Sequence, residues 1–525
     1  MSQLRALGVA FLLLASHLSA VAMASQEKTI AKPTRPKIGL AGQIDAILNQ
    51  PGMSSAAWGI EALDLESGKV LYSVNPNRLF LPASTTKLLS TAAALALAGP
   101  EYRFLTTVET AGTIDSEGRL KGDVVLVGRG DPNISGRVLP YQLETERVSP
   151  PTQILEELAS QVAQKGIKVI DGNLIGDDTF YSAERYPEGW AQDDLQWLDG
   201  APVSALTFND NAIFLQIHPG AQAGEKAVFT IDPPSNYYEF HNRIVTTASG
   251  QRKIGIHRDP GSYKVLLWGM IPLQDAGFSE ALAIEDPAEF TSQIFRGLLE
   301  AHGIVITGKT LARHGDLAQF FDQPQPPSAP AAATAASSQM LAQHVSLPLR
   351  EDVRVTNKTS QNLHAELDLR LIGQLQGAGG SLEGGVATLK QFLAQAGLKP
   401  EESYLLDGSG LSRRDLITPA AMVQLLTYAS RQSWAAAFED SLPVSGVDRS
   451  LSQRFANTPA SGLIHAKTGT LNHVNTLAGY FQTRSGRKFA FSIFCNNHNQ
   501  PVSTVLAAMN AIMILLVTEG DKKSN

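Results

Sequence analysis

A single cysteine, Cys495, stands in 525 residues, so no intramolecular disulfide can form and the fold must rest on its buried core. Cys495 ends the apolar run Phe489-Ala490-Phe491-Ser492-Ile493-Phe494, the setting of an inert buried thiol rather than a catalytic one. Basic runs are missing too. With 43 Lys and Arg against 50 Asp and Glu, the formal net charge is -7, which leaves no electrostatic footprint for nucleic acid. Neither H-E-x-x-H nor a Cys/His cluster occurs, so no metal or other cofactor is implied. Gly128-Arg129-Gly130-Asp131-Pro132-Asn133 begins like a dinucleotide loop, but Asn133 stands where a third glycine is needed and Pro132 spoils the helix start. Beyond the N-terminus no apolar run reaches membrane length. The longest, Val505 to Val517, is roughly 13 residues, contains Asn510 and suits a buried helix.

The N-terminus is the exception. Arg5, an apolar stretch through Leu12, Leu13 and Leu14, and Ala22-Met23-Ala24 as an A-x-A cleavage site read as a secretory signal over residues 1–24. Ser16, His17 and Ser19 interrupt a stretch already short for a span, which favours cleavage over anchoring. The mature chain is expected to be exported, with no transmembrane anchor after signal removal.

Residues 57–73 read as a hairpin with its turn at Glu66-Ser67-Gly68. Residues 85–98 read as a helix stopped by Gly99-Pro100. From about 102 to 320 the sequence reads as separate α+β material, and residues 323–339 are a Pro/Ala/Ser/Gln segment that cannot bury enough apolar surface to fold. Helical patterns then cover 362–375 and 385–396, followed by strands at 476–483 and 488–495 and the Val505 helix. One sheet flanked by helices and interrupted by an insert satisfies this order, an α/β (α+β) fold. The expected division is a signal at 1–24, a first part at 25–105, inserted domain or domains at 106–322, a linker at 323–339 and a second part at 340–525.

Three short motifs carry the chemistry. Ser84-Thr85-Thr86-Lys87 puts a hydroxyl and an amine one helical turn apart, and lysine desolvated among Leu88, Leu89 and Ala92 can take the serine proton. Ser360-Gln361-Asn362 opens a helical stretch, where Ser360 can relay a proton and Asn362 can bind a peptide group. Lys467-Thr468-Gly469-Thr470 offers a cation and a hydroxyl to a carboxylate, a glycine for close approach and the Thr470 N–H for an oxyanion. Taken alone, the first two read better as helix caps and the third reads as readily as an ordinary turn with a surface lysine. Their joint occurrence in this order does not.

The set S-x-x-K, S-x-N, K-T-G is similar to that of β-lactamases and penicillin-binding proteins. The chain most resembles the class C low-molecular-mass penicillin-binding proteins, the D-alanyl-D-alanine carboxypeptidase/endopeptidases. Residues 88–359 separate the first two motifs, and class C enzymes carry a large insert at that point. Gly130-Asp131-Pro132, Ala205-Leu206-Thr207-Phe208-Asn209-Asp210-Asn211, Asp407-Gly408-Ser409-Gly410-Leu411-Ser412-Arg413 and His465-Ala466-Lys467 also look like that family, while Gln361 departs from it. The resemblance implies a β-lactamase-like domain, with an antiparallel sheet flanked by helices, interrupted by an α+β insert. It implies Ser84 as acyl-enzyme nucleophile, Lys87 as base, Ser360 as proton shuttle, and Asn362, Lys467, Thr468, Gly469 and Thr470 as substrate contacts. It points to Asp194 and Arg413 as further contacts, to peptidoglycan stem peptides and β-lactams as partners, and to the periplasm. An exported β-lactamase would use the same motifs, and a catalytically silent wall-binding protein would keep the fold; intact Ser84, Lys87, Ser360 and Lys467 speak against the second.

Overall fold

The computed structural model describes residues 39–142, 150–315 and 338–520. The expected signal and residues 323–337 lie outside the described residues, and the fold is that of the unit beginning at Leu40.

Alternation along the strand Lys488–Asn496 sets the layers. Ala490 and Phe494 face one core and Phe489, Phe491, Ile493 and Cys495 another, all fully buried. A strand with no wet face belongs in the middle of a sheet covered on both sides. It is the centre of a five-stranded antiparallel sheet, ordered Val70–Val74, Ala57–Asp64, Lys488–Asn496, Val474–Gln482, Ile464–Leu471. The last of these strands was not expected, and it contains the whole Lys467 motif. Burial pushes the Cys495 thiol up to about 12, which keeps it unreactive.

Helices Leu40–Leu48 and Val502–Glu519 cover one face. The latter buries Val505, Met509, Ile512 and Leu516 at helical spacing against the sheet. At 18 residues it exceeds the sequence expectation, and by length and composition alone it is apolar enough to cross a membrane.

The opposite face packs on helices Lys87–Leu97, Leu349–Thr359, Asn362–Leu375, Leu382–Gln395 and Pro419–Ala429. Leu349–Thr359 escapes a hydrophobic reading because its buried residues are largely polar. Asp352, Asn357 and Lys358 are buried through bonds to His364, Ser441 and Asp448.

A second five-stranded sheet is ordered Thr310–Gly315, Leu174–Ser182, Val124–Val127, Leu105–Thr110, Gln339–Val345. Beside it lie a four-stranded sheet and helices Gln153–Gln164 and Pro287–Ala301. Two three-stranded sheets, centred on Ala212–His218 and Lys264–Pro272, share the same core. Gln339, grouped with the linker by composition, is already the first residue of a strand paired with Leu105–Thr110.

Phe489 is fully buried and its ring stacks on Phe481 at 4.8 Å. Phe489→Ala should cost about 3–5 kcal/mol and lower the urea midpoint; an unchanged midpoint would contradict this account of the core.

Candidate active site

The turn carrying Ser84 is a short 3-10 segment, Ala83–Thr86, that leads into the helix Lys87–Leu97. Ala83 has φ 48, a conformation L residues rarely adopt, so its surroundings must hold it. They do so from two sides. On the strand side, Thr476 Oγ1 donates to Pro82 O at 2.7 Å, and a Cβ on Gly469 would lie 2.9 Å from both Pro82 O and Ser84 N. On the loop side, Gly410 has φ 77, and a Cβ there would lie 1.9 Å from Ala83 O. Two glycines therefore let the Lys467 strand and the Asp407 loop close on the Ser84 turn. For Gly469, the approach allowed is that of the protein's own backbone.

Lys87 lies at zero exposure. Its Nζ is 3.0 Å from Ser84 Oγ, 2.5 Å from Asn362 Oδ1 and 2.8 Å from Ser409 O. The Asn362 amide is oriented by its own Nδ2, which donates to Asp199 O at 2.8 Å. Two of the three Lys87 partners, an amide oxygen and a peptide carbonyl, can only accept. A neutral Lys87 therefore gives its two N–H groups to them and turns its lone pair toward the Ser84 hydroxyl. Burial lowers the Lys87 pKa from an ordinary lysine's value to about 8, with the charges of Asp407, Asp199 and Glu366 opposing the shift.

Ser360 stands at the corner between helices Leu349–Thr359 and Asn362–Leu375, in a left-handed conformation with φ 64. It is thus the end of one helix as well as the approach to the next. Lys467 Nζ donates to Ser360 Oγ at 2.8 Å and to Thr468 O at 2.7 Å. Burial, reinforced by the positive charge of Lys87, holds Lys467 well below the ordinary lysine range. Thr468 Oγ1 donates to Ser450 Oγ, and Asn475 Nδ2 to Thr470 Oγ1. Ser84, Ser360 and Thr468 are half-buried and Thr470 is exposed, so the reactive face is open.

Ser84, Lys87, Ser360, Asn362, Lys467, Thr468, Gly469 and Thr470 thus converge. Asp194 and Arg413 pair with each other at 3.2 Å. They connect to the centre indirectly, since Trp190 Nε1 donates to Asp407 Oδ2 at 2.9 Å and Arg413 N donates to Gly189 O.

Sequence reasoning missed the support of Lys87. Asp407 accepts from Trp190, Ser409, Gly410 and Ser412. Glu366 Oε1 accepts from Gly408 N and Ser409 N, both at 2.9 Å. Burial, then the Asp407 charge, raises the Glu366 pKa to about 7. No local pattern marked Glu366, one of several polar residues on its helix beside His364, Asp368 and Arg370.

Residues 40–515 match the D-Ala-D-Ala carboxypeptidase 3 (S13) family. The chain belongs to that family. It is a serine-type peptidase. It is 32% identical over 489 residues to the D-alanyl-D-alanine carboxypeptidase of an Actinomadura species, covering 91% of this chain and 84% of that protein. It is 26% identical over 450 residues to the D-alanyl-D-alanine carboxypeptidase DacB of Haemophilus influenzae, covering 84% of this chain and 85% of the relative. Its fold matches the crystal structure of penicillin binding protein 4 (dacB) from Haemophilus influenzae. The TM-score is 0.76 at 22% identity, over 90% of this chain and 99% of the other. The α/β fold expected from the motifs is therefore the observed one.

Gly410→Ala combines a disfavoured φ with a collision against backbone. It should cost more than about 1 kcal/mol, read as a lower melting temperature. An unchanged melting temperature would remove the Asp407 loop as a support of the Ser84 turn.

Proposed function

We propose that the enzyme hydrolyses terminal D-alanyl-D-alanine bonds of peptidoglycan stem peptides through an acyl-enzyme on Ser84. The observation that carries this reading is the buried Lys87 amine, 3.0 Å from Ser84 Oγ and flanked by two acceptor-only partners. Lys87 takes the Ser84 proton as Oγ attacks the carbonyl carbon of the penultimate D-alanine. Backbone N–H groups of Ser84 and Thr470 receive the oxyanion. Collapse breaks the C–N bond, Ser360 relays to the departing amine the proton that Lys87 took from Ser84, and D-alanine leaves with Lys87 neutral again. Water then attacks the ester, giving its proton to Lys87, and the Ser84 hydroxyl is restored.

Lys467 and Thr468 hold the substrate carboxylate, Gly469 keeps the strand close, and Asn362 orients Lys87 beside the donor peptide. Asp194 with Arg413 borders the part of the cleft where a diaminopimelate side chain would lie. The same acylation opens a β-lactam ring, and D-alanyl-diaminopimelate cross-links are a second substrate. The enzyme acts after export, in the periplasm. In this reading residues 25–105 and 340–525 form the transpeptidase-like domain, residues 106–322 the inserted unit, and residues 323–339 the link back.

The pH dependence follows from Lys87. Only its neutral form accepts a proton, and its pKa lies near 8, so Ser84 acylation should rise through about pH 8 and level off above it. Labelling by a fluorescent penicillin at a series of pH values measures this. A rate that falls across that range would exclude Lys87 as the base. Ser84→Ala should abolish labelling, and retained labelling would defeat the mechanism.

Monomeric pentapeptide and cross-linked dimeric muropeptides, incubated separately and analysed by mass, should lose D-alanine and become monomers respectively. An enzyme that releases no D-alanine from pentapeptide would overturn the carboxypeptidase reading.

A further inference from the structure

The residues that follow Ser360 are held by the insert. Gln361 Nε2 donates to Asp210 Oδ2 at 2.7 Å, and Asn362 Nδ2 donates to Asp199 O at 2.8 Å. The Gln361 amide has one possible orientation, because its Oε1 accepts from Leu363 N and so caps the following helix. Asp210 lies at zero exposure, its two oxygens each receiving an Arg137 N–H at 2.6 Å. His364, also fully buried, bridges Asp210 Oδ1 at 3.2 Å and Asp352 Oδ1 at 2.7 Å.

The backbone that delivers Asp210 is unusual. Asn209, Asp210 and Asn211 have φ 51, 55 and 53, three consecutive residues in the left-handed region. Asparagine and aspartate tolerate that region best among L residues, but three in succession persist only where the surroundings impose them. Asn209 Nδ2 donates to Ala212 O, Asn211 Nδ2 donates to Pro202 O, and Phe208 N donates to Asn211 Oδ1. Both asparagine side chains thus tie the turn down and leave the Asp210 carboxylate aimed at Gln361. Arg137 and Gln361, which bind Asp210, also line an open pocket of about 280 Å³ together with Asp199 and Ser360.

We propose that Asp210 is a positioning residue for the reaction, fixing the left-handed corner at Ser360 through Gln361. The insert is thereby part of the catalytic apparatus. This rests on Ser360 acting as the proton carrier, as read above. Ser360 Oγ must stay within reach of both Lys467 and the departing amine, and its own φ of 64 gives the corner no intrinsic preference for that position.

Removing the donor at position 361 tests the proposal. Gln361→Glu keeps the helix-capping oxygen but turns the donor facing Asp210 into an acceptor. It should lower kcat for D-alanine release roughly tenfold to a hundredfold with KM changed less than about threefold. A folded Gln361→Glu enzyme with wild-type kcat would overturn the proposal.

If Gln361→Glu does not fold, Gln361→Met, which removes the donor without adding charge, decides by the same kcat-against-KM split. Ser84→Ala is measured alongside. Activity surviving in that variant overturns the acyl-enzyme reading, whereas an inactive Ser84→Ala with an unaffected Gln361→Met overturns only the role of Asp210.

Discussion

Taking the Lys87 amine out of water is the constraint around which the site is arranged. A buried ammonium is costly, so the pKa falls, and a neutral amine needs partners whose polarity decides where its lone pair points. Those partners come from the helix of Asn362 and from the Ser409 peptide of the Asp407 loop. Neither is near Lys87 in sequence. Carboxylates close to such an amine would pull it back toward the ammonium, and Asp407 and Glu366 do oppose the shift. Their oxygens, however, are engaged by backbone N–H groups of residues 408–412 and by the Trp190 indole, with none bonded to Lys87. The acids thus hold the shape of the loop that presents Ser409 O while leaving the amine free to titrate near 8.

The second lysine follows from the first. Lys467 is equally buried, and the charge of Lys87 adds to the burial that disfavours its ammonium. Its partners, Ser360 Oγ and Thr468 O, are neutral. The compensating charge it lacks in the free protein is what a peptide carboxylate would supply. In the proposed mechanism the two lysines, a short distance apart, would thus have opposite tasks, Lys87 as base beside Ser84 and Lys467 as a cation completed by the substrate carboxylate.

What was legible in the sequence were features with a short-range signature. The hairpin at 57–73, the helix after Ser84 and the apolar strand ending at Cys495 all follow from alternation, turn residues and a Gly-Pro stop. The helix Leu349–Thr359 was not legible, because its burial is achieved by polar pairing rather than by an apolar stripe. The strand Ile464–Leu471 was hidden for a related reason. As an edge strand carrying Lys467 and Thr468 it resembles a polar turn, and its role depends on Thr476 and Pro82 far away in sequence. The three motifs were readable as a set, whereas Glu366, Asp199 and Ser409 act through backbone groups and long-range geometry that no local pattern encodes.

In the proposed division, the position of the insert follows from how the chain leaves and rejoins the transpeptidase-like part. Leu105–Thr110 and Gln339–Val345 pair along their length, and the pairing continues to the helix ends. Ser346 N donates to Phe104 O, Leu349 N to Tyr102 O and Arg350 N to Pro100 O. The helix that begins at Lys87 and the helix that ends at Ser360 are therefore registered by a stem, which also pairs with Val124–Val127 through Leu105–Thr110 and places Val108, Leu341 and Ala342 in the core beyond it. Closing a longer loop on such a stem costs little, about 0.6 kcal/mol per doubling of length. A large insert can thus be accommodated without moving the amine from the corner it must face. Asp199 and Asp210 of the insert then return to that corner, where they bond the two residues after Ser360. An element attached at both places is braced across the cleft, and that bracing, rather than the mere presence of extra sheets, is what the insert contributes to the geometry of the site.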